Sequence, residues 1–182
     1  MILNSRNNNF IVRFQKNFFY PEIVKKYETY LKRLPIPYEN LQDYMTAGIQ
    51  AISFPSLNAE TVEQTLYEDP ITAKGGLNPI YWLDRNFTIT FKSYEGYINY
   101  WVMFDLFFDY YNMDQKNKYL GDVTISFLDQ TGFEFIAVEL SQVTYTSLSE
   151  LELNYSSNTA EFRNFTASFK YNYINIKKRL DN

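Results

Sequence analysis

The chain reads as a mainly β protein of the α+β kind, and three observations predict that class. Apolar and polar residues alternate strictly along several stretches, above all in the second half. Aromatic residues are 19% of the 182, with 17 Tyr, 16 Phe and 2 Trp, which favours strands and a generous core. Helical periodicity is confined to two stretches. A length of 182 residues fits one compact domain.

Phe10-Ile11-Val12-Arg13-Phe14 is a first short strand, rich in β-branched and aromatic residues. Pro21 then suits the first position of a helix through Arg33, with Ile23, Tyr27, Tyr30, Leu31 and Leu34 at helical spacing. Lys32 and Arg33 favour its C-terminal dipole, and Pro35 and Pro37 stop it. Residues 17–44 are thus a helical excursion from a β protein. Strand character resumes near Thr46 and runs to Pro55, with a second extended run over Glu60–Tyr67. Glu68–Pro79, holding Pro70, Gly75, Gly76 and Pro79, reads as a loop.

Phe87, Ile89 and Phe91 alternate with Asn86, Thr88, Thr90 and Lys92, a clean strand that turns at Tyr94-Glu95-Gly96. Tyr97–Met113 is the second helix. Its polar residues Asp105, Asp109 and Asn112 form one narrow stripe and the rest is apolar nearly all round. One small domain covers such a helix on one side only, so a neighbouring subunit is expected on another. From Gly121 onward the pattern is β: Val123, Ile125 and Phe127, a turn at Asp129-Gln130-Thr131-Gly132, a long strand from Ile136 to Tyr145, a strand over Leu151–Tyr155, and a last one from Phe165 to Tyr173. Lys177-Lys178-Arg179 reads as a solvated basic terminus.

The composition excludes much chemistry. There is no Cys and no His, which removes disulfides, thiolate nucleophiles, zinc sites of the usual kind and every His-dependent triad. Seventeen Lys and Arg against 21 Asp and Glu leave a net charge of −4, which disfavours a phosphate-clamping surface. The first nine residues lack the apolar core of a signal peptide, and Tyr97–Tyr111 is too short to span a bilayer. Asp105 and Asp109 are the best carboxylate pair, but a hydrogen-bonded stripe on an apolar helix explains them more simply than acid–base catalysis. Gly75-Gly76 lacks the Lys-Ser/Thr of a phosphate loop. The chain is expected to be no enzyme and to hold no cofactor or metal.

Three stretches carry a resemblance. Ala51-Ile52-Ser53-Phe54-Pro55-Ser56-Leu57, Asn86 through Trp101, and Leu148 through Asn158 followed by Phe165–Tyr173 resemble, in order and spacing over most of residues 45–176, the tail tube protein of contractile-tailed bacteriophages. That family is related in fold to the tube protein of type VI secretion systems. The resemblance implies a β-sandwich or barrel with one flanking helix, here a single domain over 1–182 with a helical insertion at 17–44 and a protruding loop at about 60–79. It implies a structural virion protein, assembled in the host cytoplasm, whose hexameric rings stack into a hollow conduit for DNA ejection inside a contractile sheath. Its partners would be copies of itself, the sheath, baseplate and tail-terminator proteins, and transiently the tape measure protein and genomic DNA, with no membrane anchoring.

On this reading Tyr97, Trp101, Phe104 and Phe108 are candidates for the subunit interface. Glu68, Asp69, Lys74, Gly75 and Gly76 are candidates for the ring-stacking loop, and Asp122, Thr124, Ser126, Glu139 and Ser141 for an acidic lumen. A baseplate tube-initiator or tail-terminator homologue is the nearest alternative, and a monomeric ligand-binding β-barrel is the alternative from another class.

Overall fold

A computed structural model describes residues 9–35, 38–57, 61–66, 69–76, 83–112, 116–151 and 163–179. Among these the elements run β1 (Phe10–Phe14), α1 (Pro21–Arg33), α2 (Leu41–Ala47), β2 (Ile49–Ile52), β3 (Thr61–Leu66), β4 (Asp69–Lys74), β5 (Asn86–Lys92), α3 (Ile98–Tyr110), β6 (Val123–Leu128), β7 (Glu134–Ser141), β8 (Thr144–Leu148), β9 (Asn164–Lys170) and β10 (Tyr173–Lys178). The first sheet has the order β1-β6-β7-β10, the second β2-β5-β9-β8, and β3 pairs with β4 alone. All pairings are antiparallel.

The two large sheets are tied together by one bent ribbon. Register between β7 and β10 runs from Ile136↔Lys178 to Ser141↔Tyr173, and between β8 and β9 it resumes at Thr144↔Lys170 without a slip. The bend falls at Gln142, which takes a left-handed φ of 55°. Opposite it, the Asn172 backbone N–H donates to Ser141 O at 3.1 Å and its Nδ2 to Gln142 Oε1 at 3.2 Å. Sheets joined at a corner in this way are made by strands that bend from one sheet into the other. The long strand read from Ile136 to Tyr145 is therefore two, and so is the run from Phe165 onward. Lys177-Lys178-Arg179 is no loose terminus: Lys177 and Lys178 belong to β10, Lys177 meets Glu139 at 3.5 Å and Arg179 meets Glu134 at 3.7 Å.

Alternation puts Val12, Phe14, Val123, Ile125, Val138 and Leu140 on the buried face of the first sheet, and Phe87, Ile89, Phe91, Phe165, Ala167 and Phe169 on that of the second. Register makes aromatic rows in the second sheet: Phe87 and Tyr145 both stack on Phe169, at 5.2 and 4.7 Å, and Phe91 stacks on Phe165 at 5.1 Å. Each such pair adds about 0.5–1.5 kcal/mol beyond the area it buries. Phe18 and Phe19, at the start of the excursion, fill the space beside Phe14 and Phe169. Gly121 is required where that segment crosses, since a Cβ there would lie 2.7 Å from the Phe18 backbone nitrogen.

The free edges of the sheets, β1 and β10 in one and β2 and β8 in the other, do not close on each other among the described residues, so the architecture is a two-sheet fold and no closed barrel. The excursion carries a second helix, α2, absent from the sequence reading because strand character was expected from Thr46 onward. Glu60–Tyr67 is strand as expected, over Thr61–Leu66, but the loop expected at Glu68–Pro79 contains strand β4, which makes a hairpin with β3. The strand expected over Leu151–Tyr155 lies outside the described residues beyond Leu151.

Before α3, Gly96 and Tyr97 both take positive φ, 68° and 55°, in a tight 3-10 turn. Asn99 holds that turn. It is fully buried, donates from Nδ2 to Lys92 O at 2.7 Å and accepts from the Tyr94 backbone N–H at 3.2 Å. Replacing Asn99 by Ala would remove both of these bonds, and about 1–3 kcal/mol of stability should be lost. The expected result is a lower urea midpoint with an unchanged m-value.

Candidate functional site: assembly surfaces

Helix α3 packs through two kinds of contact. Asn99, Val102, Met103 and Leu106 form its buried stripe, while Tyr100 meets Phe165 edge-on at 5.3 Å and Phe107 meets Tyr145 at 5.1 Å. What remains is an aromatic ridge. Trp101, Phe104 and Phe108 follow at helical spacing, with ring centroids 5.3 and 4.7 Å apart. Trp101 is 46% exposed and Phe108 62%, whereas Phe104 and Tyr97 are half-buried. An apolar row of this kind, left bare by its own chain, is the ordinary mark of an interaction surface. All four residues expected at a subunit interface lie on or next to α3, with Trp101 and Phe108 the most open.

The polar stripe of α3 faces α1. Asp105 accepts from Lys26 Nζ at 2.5 Å and from the Tyr27 hydroxyl at 2.6 Å, and burial together with this bond raises the Tyr27 phenol well above its ordinary pKa. Asp105 is thus engaged in helix packing, as a hydrogen-bonded stripe requires. One turn on, the Asp109 carboxyl is raised above its ordinary value, first by burial and then by the charges of Asp105 and Glu22, with Lys26 opposing. No group of His, Cys, Asp and Glu among the described residues could hold a metal, and no helix is long and apolar enough to cross a membrane.

The β3–β4 hairpin is the second surface. It shares no ladder with either large sheet, and at its base Leu57 bridges Leu83. Register puts Val62 and Ala73 opposite each other, with Ile71 diagonal to Val62 on the same face. Val62 is 52% and Ile71 50% exposed, so this apolar face stands half open among the described residues. Of the expected stacking residues, Asp69 and Lys74 are the ends of β4, Gly75 and Gly76 follow it, and Glu68 lies outside the described residues.

The expected lumen residues fall on the outer face of the first sheet. Asp122, Thr124, Glu139 and Ser141 are partly exposed there, but Ser126 is fully buried and must be removed from the set. Its neighbours across the ladders are Ile11 and Ala137, and the Arg13–Glu134 ion pair at 3.6 Å joins the strands on either side of it. That face is charge-balanced, since Glu134 also meets Arg179 and Glu139 meets Lys177. A second polar face escaped the sequence reading as a candidate lining. On the second sheet Thr88 lies opposite Ser168 and Thr90 opposite Thr166, and Ser53 accepts from the Thr88 N–H at 2.7 Å. Hydroxyls dominate it, with Lys92 and Lys170 at its two ends. The alternation of Thr and Ser with Phe was visible; the sheet to which each strand belongs was not.

No family model and no curated protein matches the sequence. Solved structures do match. The anti-feeding prophage cap (the AFP tube terminating cap) superposes with a TM-score of 0.55 at 15% identity, covering 98% of this chain and 94% of that one. A chain of the sheath-tube complex of the PVC extracellular contractile injection system, in its extended state, gives 0.53 at 15% identity, covering 97% and 93%. The sheath/tube terminator of the same system gives 0.53 at 16% identity, covering 97% and 98%. The chain therefore has the fold found in contractile injection system tube and cap assemblies, the fold expected from the tail tube resemblance.

The Asp109 carboxyl yields a prediction with a definite sign. Its folded pKa is raised, so its charge opposes folding once pH exceeds that value, and protonation relieves the opposition as pH falls through the carboxylate range. Asp109→Asn should therefore raise the melting temperature at neutral pH, with the gain disappearing in acid. Melting curves of both proteins across pH measure this.

Proposed function

We propose that this chain is a structural subunit of a contractile injection particle, one that assembles with copies of itself into stacked hexameric rings and has no catalytic role. The observation that carries this reading is the aromatic ridge Trp101-Phe104-Phe108, which the fold presents and does not cover. The half-open face of the β3–β4 hairpin and the free edges of both sheets support it, because exposed strand edges invite pairing with further chains. The shared fold with tube and cap assemblies supplies the context. In the ring, the ridge meets a neighbouring subunit and the hairpin reaches the adjacent ring. The wider partners follow from the same reading: a sheath outside, baseplate and terminator at the ends, tape measure and DNA passing through, all within a phage-like particle put together in the host cytoplasm.

A ring-capping or initiating role is the second reading, favoured by likeness to a cap and a terminator that is as good as likeness to a sheath-tube complex. Copy number per particle distinguishes them, many rings for a tube subunit and one for a cap or initiator.

The lining of the conduit is best drawn on the second sheet. Helix α3 backs that sheet through Tyr100 and Phe107, leaving the hydroxyl face of Thr88, Thr90, Thr166 and Ser168 to look away from the domain. Between Lys92 and Lys170 at its two ends the face carries neutral hydroxyls, which offer a passing polyanion little to bind. The charge-paired face bearing Asp122, Thr124, Glu139 and Ser141 then turns outward.

Negative-stain microscopy of the purified protein is the direct test: rings or tubes are expected, and a monodisperse monomer at high concentration overturns the proposal. Val62→Lys with Ile71→Lys should leave melting unchanged and prevent stacking, because both positions are half exposed on the hairpin. Since the chain has no cysteine, Thr166→Cys and Thr124→Cys each introduce a unique thiol. In assembled tubes Thr166→Cys should react with a small maleimide and resist a polymer-linked one, while Thr124→Cys reacts with both. Equal reaction of both variants with the polymer-linked reagent would move the lining off the second sheet.

A further inference from the structure

A cavity of about 280 Å³ opens where the end of α1 meets the turn before α3, lined by Tyr30, Leu34, Pro35, Tyr38, Tyr44, Tyr94 and Glu95. Four of its walls are tyrosine rings grouped around Tyr44: Tyr38 stands edge-on at 5.4 Å, Tyr30 edge-on at 6.4 Å, and Tyr94 tilted at 5.1 Å. Tyr44 itself is buried, and its hydroxyl makes no hydrogen bond of ordinary geometry. Burial raises the Tyr44 phenol well above its usual pKa and pushes Tyr94 up to about 12, so the rings stay neutral. Glu95 is exposed at the rim, and no Lys or Arg is among the lining residues.

We propose that this tyrosine box is a binding site for the cationic tip of a lysine or arginine side chain presented by a partner protein. The chemistry fits on three counts. Aromatic faces attract a cation through their quadrupole, most strongly when it is partly desolvated. The Glu95 carboxylate adds a countercharge at the entrance, where it can accept from an ammonium or guanidinium N–H. No Lys or Arg among the described lining residues already fills the box, so a cationic side chain brought from outside finds the rings and the carboxylate unclaimed. The box is built by the helical excursion and by Tyr94 and Glu95 of the turn before α3, residues that neither the ridge nor the hairpin uses, so the site stands or falls apart from the ring-forming reading.

The test is a titration of the full-length protein, followed by NMR of the tyrosine rings. Capped Gly-Lys-Gly and Gly-Arg-Gly peptides, n-butylammonium, tetramethylammonium and the neutral 1-pentanol serve as probes. The lysine and arginine peptides should shift the ring signals of Tyr38 and Tyr94 and bind about tenfold or more tighter than the alcohol. Tetramethylammonium, which has no N–H to give, should bind more weakly than n-butylammonium. Glu95→Gln should weaken the peptides by about threefold, and Tyr38→Leu should abolish binding. Because Glu95 is exposed, its variant reports on the site even if Tyr38→Leu disturbs folding. Equal binding of the alcohol, or peptide binding unchanged in Glu95→Gln, overturns the proposal. Binding of the free amines without the peptides overturns the assignment to a protein side chain.

Discussion

The fold depends on a two-stranded ribbon that has to serve two sheets. Between Ile136↔Lys178 and Thr144↔Lys170 the register never slips, yet the ribbon changes sheets at Gln142 and Asn172. Everything apolar is oriented by that bend. It turns the Val138 and Leu140 face of one sheet and the Phe165 and Phe169 face of the other toward a common interior, which the Phe14, Phe18 and Phe19 cluster then fills. A one-residue slip would exchange Phe165 and Phe169 for Thr166 and Lys170 in one sheet and Val138 and Leu140 for Glu139 and Ser141 in the other, so register and core define each other.

Against this well-filled interior the surface is unevenly finished. Apart from the stripe of Asp105 and Asp109, helix α3 is apolar around its circumference, and the domain uses only the part that meets the second sheet and the part that α1 engages through Asp105. The hairpin is similar on a smaller scale, paired only with itself among the described residues. Both features are costly in a solitary chain and reasonable in a repeating assembly, where a copy supplies the missing neighbour. The tyrosine box differs in kind: it is small, concave and carries one carboxylate, the geometry of a single recognition event.

Much of this was legible in the sequence, for local reasons. Pro21 and the spacing of Ile23, Tyr27 and Leu31 define α1, whose bounds match the expectation, and the alternation of Phe87, Ile89 and Phe91 defines β5. The crowded apolar pattern of α3 foretold both its burial and its incomplete cover. What escaped depended on contacts distant in sequence. The break at Gln142 follows from the need to change sheets, which no residue near it announces. Strand β4 contains Pro70, a residue that argues against a strand unless the strand lies at an edge, and in a two-stranded hairpin both strands are edges. Ser126 alternates like an exposed residue and is nonetheless fully buried, between Ile11 and Ala137 on the neighbouring strands. The box of four tyrosines gathers positions from α1, the segment after it, α2 and the turn before α3, so no window of sequence contains it.

The isolation of the β3–β4 hairpin bears on how assembly would proceed. A two-stranded ribbon without a third strand or a backing layer is marginal in water, so the docked hairpin surrenders conformational freedom that the free one still has. In the proposed assembly, first encounters between subunits would then be weak and easily undone, and only a subunit seated by several contacts at once would be retained. Misplaced copies would leave before the next layer traps them. A polymer of the proposed kind would in this way correct its own errors as it grows.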